Sequence, residues 1–183
     1  MIESRAMGAY FSEADKRVLC QAAVIAEDMT SDFYKLSHSR WLRSRYDILT
    51  REQLREEEVS PHALAMVSRY DGRLPDRFLP SAAFDYYRIC LQDPNILAAL
   101  RRRPGLSPLA LLCYVLTHEL VHIVRFSRFE ARFDAGEAER AAEERLVHRL
   151  TRQILAPLRC LDLAPVIDFY ESQPSGGRMY AHL

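Results

Sequence analysis

Residues 107–124 read Ser-Pro-Leu-Ala-Leu-Leu-Cys-Tyr-Val-Leu-Thr-His-Glu-Leu-Val-His-Ile-Val. Ser107 offers an N-cap oxygen, and Pro108 suits the first helical position because its φ is already helical and its missing N–H is not needed there. Leu109, Leu111, Leu112, Val115, Leu116, Leu120 and Ile123 then spread around much more than one stripe of a helix. A helix apolar on most sides must be covered on most sides, so this segment is predicted to be the central, buried helix. His118, Glu119 and His122 are polar and lie inside it, and burial of apolar surface does not explain them.

On the upstream side, Pro104-Gly105 breaks a short helix predicted over residues 96–103. Before that, Ala83–Leu91 (AFDYYRICL) is rich in aromatic and β-branched residues and stops at Asp93-Pro94-Asn95, which makes it the strongest strand candidate. Residues 74–80 read as a loop. Ser60-Pro61 resembles a second capped start, giving a short helix through Ala63, Met66 and Val67 to Asp71-Gly72. Residues 31–58 space Phe33, Leu36, Trp41, Leu42, Tyr46, Ile48 and Leu49 irregularly among charges and read as one or two broken helices. Ser12, Glu13 and Asp15 open a first helix that runs to about residue 29. Downstream, residues 128–136 form a connection, Glu137–Leu155 a second long helix with Ala141, Leu146, Val147, Leu150, Ile154 and Leu155 inward, and residues 174–183 a loop-like tail. The sum is a predominantly helical α+β fold with a small antiparallel sheet, one domain over residues 1–183, in which 1–70 is a helical N-terminal extension packed on 80–183.

Composition narrows the function classes. Twenty-five basic and 25 acidic residues balance in a chain of 183 with pI near 7.0, and the charges are interleaved, so no basic footprint for nucleic acid or an anionic membrane is expected. Cys20, Cys90, Cys113 and Cys160 form no C-x-x-C pair and read as isolated thiols of a reducing compartment. The first residues have no basic-then-apolar leader pattern, and no uninterrupted apolar run approaches ~18 residues. The cytoplasm is the expected location, and no feature assigns an oligomeric state.

The chemistry lies in His118-Glu119-Leu120-Val121-His122. Imidazoles four apart stand one above the other on one helix face and can present two nitrogens to a single zinc ion at about 2.0–2.1 Å. Glu119, in the same turn, can deprotonate a water without being a ligand. A third protein ligand is needed, and the next helix offers Glu143 and Glu144, far enough on for an antiparallel return. Glu144 is preferred because it pairs with His148 at i, i+4 beside Ala141 and Thr151, whereas Glu143 shares a face with Val147 and Leu150. His148 either supports a ligand from behind or is itself a fourth ligand that closes the site. Glu119-Leu-Val-His122 is also the Glu-x-x-His of carboxylate-bridged di-iron bundles, but the second copy that such bundles need is missing, since Glu144 and His148 are four apart.

HELVH followed by Glu144-Arg-Leu-Val-His148 resembles the gluzincin branch of the zincin metallopeptidases, and Ile154-Leu155-Ala156-Pro157 is similar to the ending seen in the ImmA/IrrE-like family. The resemblance spans about forty residues of 183. His148 stands where Asp or Asn is usual, and Val121 where ImmA/IrrE-like proteins prefer Gly. The resemblance implies a zincin-like active-site helix, His118, His122 and Glu144 as zinc ligands, Glu119 as general base, a peptide or protein substrate, and the 83–91 strand as an edge that holds an extended peptide. It also calls for a donor to the developing oxyanion, for which Tyr86, Arg125, Tyr180 and His182 are available. The competing expectation is a non-catalytic, zinc-stabilised domain that acts through protein partners.

Overall fold

The computed structural model describes residues 10–37, 46–73 and 83–172. The elements run α1 (Glu13–Tyr34), β1 (Tyr46–Leu49), two 3₁₀ turns (Arg51–Gln53 and Glu56–Glu58), β2 (Ala65–Arg73), β3 (Ala83–Leu91), α2 (Asp93–Arg102), α3 (Pro108–Ser127), α4 (Glu137–Leu155) and α5 (Ala164–Glu171). The fold is predominantly helical α+β, with one small sheet.

The central helix is α3. Ser107 caps it, its hydroxyl accepting from Ala110 N at 3.4 Å, and 16 of its 20 residues are buried, as an all-round apolar pattern requires. By length and composition α3 could cross a membrane, and 89% of that window is buried within the protein. α1 packs along one side of α3, the sheet lies against another, and α4 returns antiparallel on a third. α1 begins with a full capping box between Ser12 and Asp15 and continues beyond residue 29 to Tyr34, where Lys35 in a left-handed conformation ends it.

The sheet has the order β1-β3-β2, with β2 antiparallel and β1 parallel to β3. It is therefore mixed rather than wholly antiparallel. β3 has the expected bounds but is the central strand, paired on both sides at Tyr87 to Cys90, so it is not the edge that the family likeness implied. Tyr87, Ile89 and Leu91 face the helices, while Cys90 turns the other way against Met66 and Ala63, the period of two expected of a pleated strand.

Two expectations of helix give way to strand. Residues 65–73 are strand, not helix, and residues 46–49 are strand within what read as broken helix. The cap chemistry at Ser60 is real, its hydroxyl accepting from Ala63 N at 3.0 Å, but it makes a turn leading into the buried run Ala63 to Val67. That run is covered on both faces, so it lacks the alternation that marks a strand. Within residues 1–70, the described β1 and most of β2 are integral to the sheet rather than parts of a helical extension. α5 was not anticipated, although Val166, Phe169 and Tyr170 are buried at helical spacing. On α4, Ala141 is exposed and Leu146 half-buried rather than inward. All four cysteines are free, with Cys90 and Cys113 buried and Cys20 and Cys160 exposed. Trp41, Leu42, His38, Tyr180, His182, the 74–80 loop and the 174–183 tail lie outside the described residues.

The face of the sheet away from α3 is pinned by one buried carboxylate. Glu58, with no exposed side-chain surface, takes Arg88 Nη1 at 2.9 Å and the Tyr70 hydroxyl, while Arg88 Nε reaches Asp47 at 3.2 Å. These contacts join a 3₁₀ turn to all three strands. Glu58→Ala leaves Arg88 and Tyr70 without their shared acceptor and is expected to cost about 3 kcal/mol in urea unfolding; a change under about 1 kcal/mol would show that the cluster is not needed for the sheet.

Candidate metal centre

Four aromatic or imidazole side chains recur every fourth residue along α3: Tyr114, His118, His122 and Phe126. They form one stripe, facing α4 and α5. His118 Nε2 and His122 Nε2 are 3.0 Å apart, and the Glu144 carboxylate straddles them, Oε2 3.3 Å from His118 Nε2 and Oε1 3.2 Å from His122 Nε2. Two atoms each 2.0–2.1 Å from one tetrahedral zinc stand about 3.3–3.4 Å apart, so the three groups have the size of one face of such a polyhedron. A ring nitrogen of His148 lies within 4.8 Å of ligand atoms of both His118 and Glu144.

The positions follow from packing. Phe126 stacks on His122 with centroids 5.7 Å apart and an interplanar angle of 18°, and Tyr87 of β3 stacks on Phe126 at 6.3 Å, so the sheet backs the second histidine. Glu143, the alternative third ligand, is committed elsewhere: Arg125 grips it through Nε to Oε1 and through Nη2 to Oε2 at 3.0 Å. That bidentate pair ties the end of α3 to the start of α4 and turns the next residue, Glu144, toward the histidines. Arg125 also holds Glu130 Oε2 at 3.0 Å. Arg125 is thus a tie between elements, and Tyr86 sits with Asp47 and Arg88 on the sheet, so neither candidate donor joins the histidines. His62 is exposed in its turn.

Electrostatics sorts the protonation states. Burial pushes the His118 imidazole down to about 3, helped by His122 and His148 and opposed by Glu144. Burial also opposes ionisation of Glu144, but the charge and contacts of His122 and His118 prevail and hold its carboxyl below the usual range. A neutral imidazole and an ionised carboxylate are the forms that bind a cation. Glu119 is different. It is 1% exposed, neither of its oxygens meets a hydrogen-bond partner among the described residues, and burial followed by the Glu144 charge pushes its carboxyl well above the usual range. A buried carboxyl without a donor is costly unless a cation or a water serves it.

A cleft of about 310 Å³ lies between the α3–α4 connection and α4, with Phe126, Ala135 and Leu146 among its apolar lining; of the group it reaches Glu144, and neither the histidines nor Glu119 line it. Tyr114 and Tyr170 complete the surroundings of His148, with ring centroids 6.0 and 5.3 Å from it and 4.6 Å from each other. The sequence reading missed both. Tyr114 was legible from the same four-residue spacing that picked out the histidines, whereas Tyr170 sits on the unanticipated α5 and carried no local signal. Comparison of the chain with protein-family models, curated proteins and solved structures finds no match.

The raised proton affinity of Glu119 has a defined sign. In metal-free protein the folded state holds a proton on Glu119 that the unfolded chain releases near pH 4.5, so this contribution is present below that pH and is lost as pH rises. His118 acts oppositely, binding its proton in the unfolded chain near pH 6.5 and in the folded one near 3, so its contribution is lost as pH falls. In chelator, the Tm advantage of Glu119→Gln over wild type is therefore expected to grow as pH is raised from 4.5 to neutrality; a difference independent of pH would show that Glu119 is ionised in the metal-free fold.

Proposed function

We propose that this protein is a zinc-dependent hydrolase acting on peptides or proteins, with His118, His122 and Glu144 as the zinc ligands and Glu119 as the proton-transfer group. The observation that carries this reading is the convergence of two Nε2 atoms and one carboxylate at 3.0–3.3 Å on two different helices. The donor set suits the ion, with two imidazole nitrogens and one carboxylate, and the buried Glu119 stands one residue from the first of them.

Zinc, when bound, supplies Lewis acidity and brings the pKa of a bound water toward 7. Glu119 takes the proton from the attacking water and passes it to the leaving amine, a role that needs its carboxylate ionised, which the positive charge of a bound ion would favour over the protonated form of the metal-free fold. His118 and His122 are fixed by their common helix face, and Phe126 prevents the second ring from turning. Glu144 neutralises part of the cation's charge while its neighbour Glu143 holds α4 in place through Arg125. Glu144 is the member of the group that borders the neighbouring cleft, so a substrate would approach from its side. The gluzincin resemblance of the HELVH and Glu144 segments points to the same chemistry.

A second reading is a closed, structural zinc site in a domain that acts through protein partners. It draws on the approach of a His148 nitrogen to within 4.8 Å of the His118 and Glu144 ligand atoms.

Protein purified without added metal is expected to carry about one zinc per chain by elemental mass spectrometry, with Glu143→Ala retaining it and Glu144→Ala losing it. Glu119→Gln is expected to keep the metal while abolishing cleavage of a mixed fluorogenic peptide library. Wild-type protein that takes up no zinc would end the proposal, and turnover surviving Glu119→Gln would remove Glu119 from its role.

A further inference from the structure

The end of α3 has a geometry that ordinarily calls for glycine. Phe129 N donates to Phe126 O at 3.1 Å and Glu130 N to Arg125 O at 2.9 Å. These are the paired bonds of a helix terminus that closes on a left-handed residue, and Phe129 takes that conformation with φ of 57°. A side chain with a β-carbon is disfavoured there. The phenyl ring regains nothing from the fold, since it is 92% exposed. The turn beneath it is nonetheless firmly held. Arg125 bonds Glu130 at both its carboxylate and its carbonyl, and Arg128 Nη2 donates to Tyr34 O at 3.0 Å. Backbone strain and an unburied ring thus fall on one aromatic residue standing on a fixed support, the setting in which an aromatic serves as a contact anchor.

The turn leads into the cleft, which Glu130 and Ala131 already line. Most of the carboxylates there are engaged: Glu130 and Glu143 pair with Arg125, and Glu144 with the histidines. Arg140 and Arg149 line the same cleft and pair with no carboxylate among the described residues, Arg149 donating only to Arg145 O, with Glu139 left to oppose them. We infer that the Phe129 turn and this cleft dock an extended polypeptide that carries both apolar and acidic side chains. The apolar ones pack on Phe129 and the apolar lining, and the acidic ones meet Arg140 and Arg149. This rests on the hydrolase reading in one respect: a chain lying here borders Glu144, so the docked segment is the substrate of the zinc centre.

Binding is measured in chelator, apart from catalysis. Short fluorescein-labelled glycine peptides with interspersed leucine and glutamate, leucine and lysine, or serine and glutamate are titrated with protein and followed by anisotropy. The leucine–glutamate peptide is expected to bind most tightly. It is expected to lose about tenfold in affinity to Phe129→Asn, and about as much to Arg140→Glu combined with Arg149→Glu. Asparagine tolerates the left-handed turn, so Phe129→Asn is expected to keep or raise the wild-type Tm, which separates lost contact from misfolding. Equal affinity for the three peptides, or wild-type affinity in Phe129→Asn, would overturn the inference. So would Phe129-dependent binding to phosphatidylserine vesicles with none to the peptides. Peptide binding as expected in a protein that never loads zinc would leave the docking surface standing and end the hydrolase.

Discussion

One helical turn that is both deeply buried and polar sets the terms for the rest of this molecule. His118, Glu119 and His122 are at most 1% exposed within a helix whose other buried positions are nearly all apolar. Each buried polar group left without a partner costs on the order of 1–3 kcal/mol, so the neighbouring elements must answer these three with something other than hydrocarbon. α4 does so for the two histidines: where it crosses the turn it presents Glu144 and His148, with its buried residues Val147, Thr151, Ile154 and Leu155 at and beyond that crossing, while Glu119 meets no hydrogen-bond partner among the described residues. The α3–α4 contact is thus a polar patch in the middle, with the Arg125–Glu143 ion pair at one end and the Tyr114–His148 hydrogen bond and the Arg152–Glu171 ion pair at the other.

Precision at the patch comes from what stands behind it. α1 and the sheet clamp α3 from the sides away from α4, and the stack Tyr87, Phe126, His122 runs from the central strand to the second histidine ring. The strand is itself held by pairing on both sides and by the Glu58, Arg88 and Asp47 contacts. Groups carried on packed helices and backed by a sheet stay nearer to a fixed geometry than groups on loops. The exposed Phe129, with φ of 57°, marks where the chain leaves α3 for the connection to α4. Glu130 N to Arg125 O at 2.9 Å closes that turn and fixes the return of the chain.

What the sequence disclosed follows from the range of the interactions involved. The buried helix, its Ser107-Pro108 start, the bounds of β3 and the four-residue spacing of the histidines are encoded locally, and they were legible. The preference for Glu144 over Glu143 was reached from the face shared with His148, but the reason for the geometry is a contact between positions 125 and 143 that no local pattern records. β2 was misread because burial on both faces erases alternation, and because Ser60 has capping chemistry that serves a turn as well as a helix. The parallel partner β1 has only four residues, all half-buried, and its pairing depends on β3 forty residues later. α5 brings Tyr170 to His148 through tertiary packing alone.

The opposed faces of α3 and α4 carry a further consequence. An i, i+4 pair on one helix, His118 and His122, meets an i, i+4 pair on an antiparallel neighbour, Glu144 and His148, and two such pairs naturally supply four donors around one point. Left alone, that arrangement favours a closed cage, which stabilises a fold but leaves a metal no position for chemistry. Extending the same stripe by one turn toward the start of α3 places Tyr114 beside the fourth donor. The Tyr114 hydroxyl lies 3.0 Å from His148 Nδ1, so that ring nitrogen is already engaged by a protein group. Whether the other nitrogen of that ring joined a bound ion would separate a closed, structural centre from an open one.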